Sequence, residues 1–173
     1  MKYSLGLSTL YYLCGFIYMG FGTYTVDVNA KSPVNRLFVL LVSSTGSWAY
    51  SYAVSTSAPT SESSAFWRCL SVFGWGVFYS ILLHFVLLLT ETEIRLNKWI
   101  LHTLIYLPAV INILLFAPFG YFGVKEYHMV ESDFGWVNIL PGSTGRILLT
   151  LYYLIFATAS VILLIRWWLK IDP

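Results

Sequence analysis

Apolar residues fall in long blocks, and short polar or charged clusters separate the blocks. A transmembrane helix needs about 20 largely apolar residues. Five blocks reach that length: about Ser4 to Val26, Leu37 to Thr56, Cys69 to Thr90, Trp99 to Pro118 and Ile147 to Ile165. Asp27, Glu91 and Arg166 stop the first, third and fifth, and a Ser/Thr/Pro linker around Ala58 to Ser64 follows the second. The pattern predicts an all-α polytopic membrane helix bundle, a single membrane domain over residues 1–173. The first block is too long and too rich in Tyr for a cleaved signal peptide, and no small-residue cleavage site follows it, so it is expected to stay in the membrane.

Composition agrees with the bilayer as solvent. Apolar residues make up 58% of the chain and charged residues only 10%, against about 25% charged in an ordinary soluble domain. Mean hydropathy is +0.72. Net charge is +2, which gives no electrostatic footprint for nucleic acid. Cys14 and Cys69 stand far apart with no CxxC, so both read as buried, inert thiols. No cofactor is expected. Orientation follows from Lys and Arg in the loops. Lys31, Arg36, Arg95, Lys98, Arg166 and Lys170 outnumber Lys2, Arg68, Lys125 and Arg146 on the other side. That bias puts the N-terminus outside and the C-terminus inside.

The longest connection, 119–145, is an outer loop rich in aromatic and charged residues, with Trp136 among them. It reads as a cap sealing the helices or as a lid that contacts a ligand. In the second span Ser43, Ser47, Ser51 and Ser55 recur every four positions. Such a stripe, with Gly74 and Gly76 in the third span, suits close helix packing. Pro108 lies inside the fourth span and removes one backbone hydrogen bond there. Asn112, one turn on, needs a polar partner, because an unpaired amide in hydrocarbon is costly. His84 lies about 10 Å, and His102 about 6 Å, above the inner edges of consecutive antiparallel helices. Placed at comparable depth, they are candidates for proton sensing or haem ligation, against the plainer role of two separate neutral imidazoles. No HExxH, GxSxG or Walker-type motif occurs, and no carboxylate pair lies within a span, so catalysis by this chain is not expected.

The order of short motifs is similar to a known family. Lys31-Ser-Pro-Val-Asn-Arg-Leu-Phe38 follows the first span, and Trp48-Ala-Tyr50 lies in the second. Phe66-Trp-Arg-Cys-Leu-Ser-Val-Phe-Gly-Trp75, Leu83-His-Phe85 and Leu104-Ile-Tyr-Leu-Pro-Ala109 come next. Phe134-Gly-Trp136 and Tyr152-Tyr153 complete the set. Together they resemble the N-terminal seven-transmembrane sensor region of bacterial histidine kinases. The resemblance implies a multi-pass module in a bacterial plasma membrane that relays a stimulus to a cytoplasmic output domain. It also allows a homodimer. A seven-helix region would continue for two spans, whereas this sequence ends at Asp172-Pro173 after the fifth; the resemblance therefore implies a truncated input module.

The leading expectation is a signal-input module with the lipid bilayer and an output domain as partners. The outer loop with Trp136, together with Pro108 and Asn112, would be its moving parts. Two rivals stand beside it: a small stand-alone channel or carrier along the Ser stripe and Asn112, and a redox protein built on His84 and His102.

Overall fold

The computed structural model describes residues 2–139 and 144–171. Helix α1 spans Ser4–Asn29, α2 Pro33–Thr56, α3 Ser61–Leu70, α4 Val72–Leu89, α5 Lys98–Phe116 and α6 Thr144–Ile171. Between α5 and α6 lie a short 3-10 turn, Gly123–Glu126, and two strands, β1 Met129–Ser132 and β2 Gly135–Asn138. Among the described residues, five helical segments are long and apolar enough to cross a membrane, with α3 and α4 counted as one.

Local chemistry sets the helix starts. Ser32 caps α2 by accepting from Asn35 N, and Pro33 sits at the first helical position, where its missing N–H costs nothing. Thr60 caps α3 by accepting from Ser63 N, and Asn97 caps α5 by accepting from Trp99 N. The Thr60 cap corrects the expected linker: residues 61–64 are helical, so the helical segment that carries the third block starts well before Cys69. At Ser71 the helix breaks briefly. Its hydroxyl donates to Arg68 O at 2.5 Å and accepts from Trp75 Nε1 at 2.9 Å.

Helix α2 is the central element, packed against α1, α3 and α4. Its buried positions include Ser44, Gly46, Ala49, Ser51, Ala53 and Ser55. The expected four-residue stripe departs from this at its start, since Ser43 is half-buried and Ser47 is exposed. Four residues advance a helix by about 400°, so such a stripe drifts about 40° per step. By Ser55 it has left the face on which it began.

Gly74 lets α4 approach α2, and Gly76 faces α5 at ordinary contact distance. A Cβ on Gly74 would lie 2.5 Å from Ser44 O and 2.7 Å from Trp48 N. On Gly76 it would lie 2.8 Å from Val72 Cγ2 and 3.6 Å from Asn112 Cβ. Helix α6 joins α4 through Tyr152, whose hydroxyl meets Ser80 N and Ser80 Oγ at 3.0 Å each.

Among the described residues, the outer connection holds the one pair of strands, foreign to an all-helical reading. Strands β1 and β2 pair antiparallel, with Glu131 opposite Trp136 and Ser132 opposite Gly135. The Ser132 hydroxyl closes the turn by donating to Gly135 O at 2.6 Å. Gly135 has φ +103°, a conformation that glycine adopts without strain. Of the expected 119–145 loop, residues 140–143 lie outside the described residues, as does the chain end Asp172-Pro173.

Candidate functional site

The hairpin is tied to three helices. Tyr3 N, at the start of α1, donates to Asp133 O at 2.7 Å. Trp136 Nε1 donates to Ala58 O, just past α2, at 2.8 Å. Arg68 of α3 donates from Nη2 to Trp136 O at 3.2 Å. Gly135 rests so close to the backbone of Thr56 that a Cβ there would collide with it. Each neutral bond contributes about 0.5–1.5 kcal/mol net, so together they hold the hairpin in one seat.

Beneath it lies a cavity of about 370 Å³. The hairpin supplies Val137 and Asn138 to its wall, and the 3-10 turn supplies Glu126. Helices α2 and α4 supply Trp48 and Trp75, and α6 supplies Arg146 and Tyr153. Trp75 packs edge-on against Phe116 at 5.6 Å and Tyr153 at 6.5 Å between ring centroids.

Arg68 is the fixed cation of this site. Its Nε donates to Ser55 Oγ at 3.0 Å, and its guanidinium stacks 3.9 Å from the Tyr52 ring centroid. Such stacking is worth about 0.5–2 kcal/mol, more when desolvated. Tyr127 borders the same space. Burial pushes its phenol well above the ordinary range; Cys69, Tyr52 and Tyr153 push the same way, and Arg68 opposes. Tyr127 therefore stays a neutral donor.

The other sequence candidates sit elsewhere. Asn112 is buried and donates from Nδ2 to Gly76 O at 3.4 Å. Its partner is thus the α4 backbone. Pro108 lies inside α5, four residues before Asn112. Neither lines the outer cavity. His84 and His102 do meet, with ring centroids 5.0 Å apart. His84 Nδ1 also pairs with Tyr106 Oη at 2.8 Å, and His102 Nδ1 donates to Lys98 O at 2.6 Å. No group of three or more metal-ligating side chains occurs among the described residues. For a polar path through the bundle, the small hydroxyls are poorly placed. Ser55 and Ser64 bond each other, and Ser47 is exposed.

In the sequence Arg68 stood as a loop charge and, like Trp75 and Tyr153, as part of the motifs that carry the resemblance; none of them, nor Tyr52 or Tyr127, was singled out as a site residue. One signal was present: Arg68 is flanked by apolar residues at the mouth of a span, and an ionisable residue there is a functional candidate.

A family model described as the N-terminal 7TM region of histidine kinase matches residues 10–173. Comparison with curated proteins and with solved structures finds no match.

Proposed function

The chain belongs to the family of N-terminal 7TM regions of histidine kinases, and we propose that it receives its stimulus in the outer cavity and relays it through the seat of the hairpin. It is a multi-pass membrane sensor-input module. The single observation that carries the mechanism is the attachment of one small hairpin to α1, α2 and α3 directly above the cavity.

The relay needs two states with different affinity for the stimulus. A molecule in the cavity touches the hairpin at Val137 and Asn138 and the bundle at Trp48 and Trp75. Moving the hairpin pulls on Arg68 and on the end of α2. Helix α2 packs against α4 through Gly74, a contact too tight to deform gradually. Displacement there propagates as a rigid shift of one helix against another. Asn112 of α5 lies on the next contact along, against Gly76, and Pro108 lies one turn further inward on α5, so a shift of α4 is passed inward there. The receiving output domain is cytoplasmic, and the membrane is the bacterial plasma membrane.

The test is phosphoryl-transfer output of the full-length gene product in native membranes. Trp136→Phe keeps an aromatic ring, smaller than the indole, and removes the N–H that bonds Ala58 O. About 1 kcal/mol lost from one state shifts stimulus-free output about fivefold. Asn112→Leu should change the response to stimulus as well. Output unchanged in both variants, with the Trp136→Phe hairpin shown to be loosened by hydrogen exchange, would overturn the relay.

A further inference from the structure

The cavity beneath the hairpin has two kinds of wall. One is aromatic, formed by Trp48, Tyr52, Trp75, Phe116, Tyr127 and Tyr153. The other is charged: Arg68 and Arg146 face a single carboxylate, Glu126. Two cations less one anion leave one positive charge in surplus, whichever arginine stands nearer to Glu126. A cationic ligand is therefore disfavoured despite the aromatic rings.

Arg68 is positioned rather than free. Its bonds to Ser55 Oγ and Trp136 O use Nε and Nη2, two of the five N–H donors on a guanidinium. Both acceptors are neutral oxygens, so neither cancels its charge. The remaining donors lie on the Nη edge, which matches a planar carboxylate. Half-buried among aromatic rings, the cation is screened less than it would be in water. The volume of about 370 Å³ is near the lower end of small-molecule sites and suits a compact ligand rather than a two-chain lipid.

Resting on the sensing role of this cavity, we propose that it binds a small aromatic carboxylate, with the ring among Trp48, Trp75 and Tyr153 and the carboxylate on Arg68. The rings supply apolar contact and edge-to-face partners. Arg68 supplies orientation. Because Arg68 also holds Trp136 O, a carboxylate drawing on its Nη edge acts on the residue that seats the hairpin.

The test uses the chain in lipid nanodiscs, with empty nanodiscs as the blank for partitioning. Tryptophan fluorescence reads binding, since Trp48 and Trp75 line the cavity. The probes are 3-phenylpropionate, its neutral amide, and octanoate. The carboxylate should bind about tenfold or more tighter than the amide, as a charge-assisted bond requires. Arg68→Gln should abolish the preference, so that carboxylate and amide bind the variant alike; amide binding that is still measurable shows that the variant is folded, and a retained preference for the carboxylate overturns the proposal. Equal binding of carboxylate and amide to the wild-type chain, or binding of neither, overturns the proposal without any variant. Octanoate tighter than 3-phenylpropionate overturns the aromatic class. Failure here with Trp136→Phe still shifting output refutes the ligand alone; success here with output unmoved refutes the relay alone.

Discussion

Replacing Gly74 with Ala tests the α2–α4 contact on which the bundle turns. The added methyl would stand 2.5 Å from Ser44 O, 2.7 Å from Trp48 N and 2.7 Å from Trp48 Cβ. Ordinary contact begins at about 3.5 Å, so the two helices must part by about 1 Å. Two of the three obstructing atoms are backbone, and no rotamer change moves them aside. Overpacking of this kind costs about 1–3 kcal/mol. Against that, Gly→Ala within a helix gains about 0.5–1 kcal/mol. The net expectation is a loss of up to about 2.5 kcal/mol, centred near about 1 kcal/mol, or about a fivefold drop in the folded ratio. Gly20→Ala is the control, because a Cβ there meets nothing within 4 Å; it should gain the propensity term alone. Reversible unfolding in mixed micelles, following tryptophan fluorescence, measures both. Gly74→Ala as stable as Gly20→Ala would refute the tight crossing and the all-or-none relay built on it.

Three further outcomes follow from the geometry. Gly135→Ala meets both a positive φ of +103° and the backbone of Thr56; it should cost about 2–4 kcal/mol and raise amide exchange across 129–138, with unchanged protection counting against the docked hairpin. Tyr152→Phe removes the hydroxyl shared with Ser80 and should lower stability by about 0.6–1.7 kcal/mol, the range for hydrogen bonds between membrane helices, as read by the same unfolding assay. Tyr106→Phe removes the partner of His84 Nδ1. A loss of similar size is expected, and in the His84→Phe background the same change should cost nearly nothing; additive costs would show that the pair does not interact.

Much of the architecture was legible along the chain. Membrane helices announce themselves one at a time, because each must satisfy its own backbone within hydrocarbon. The five crossings, their order and their short turns at Ser32 and Asn97 are therefore local facts. The need of Asn112 for a partner was also legible, though not that Gly76 O would meet it. The hairpin was hidden for the opposite reason. Strands of four residues carry little periodicity, and this pair is held by remote groups, Ala58 O, Tyr3 N and Arg68.

The small residues of α2 mark the boundary between the two kinds of knowledge. Sequence showed that α2 packs closely, since Ser, Gly and Ala admit near backbones. It did not show which face does so. A helix surrounded by α1, α3 and α4 has no single interior stripe, and Ser44 and Gly46 carry contacts where the four-residue repeat pointed to Ser47. Composition and hydrophobic block length determined the solvent and the crossings, because they depend on each segment's own transfer into lipid, and the order of short motifs along the chain carried the family resemblance. Tertiary structure alone decided that Arg68, Trp75, Tyr127 and Tyr153 share one cavity. Their convergence depends on how α3, α4, α6 and the outer connection sit together, and no span records its neighbours in its own sequence.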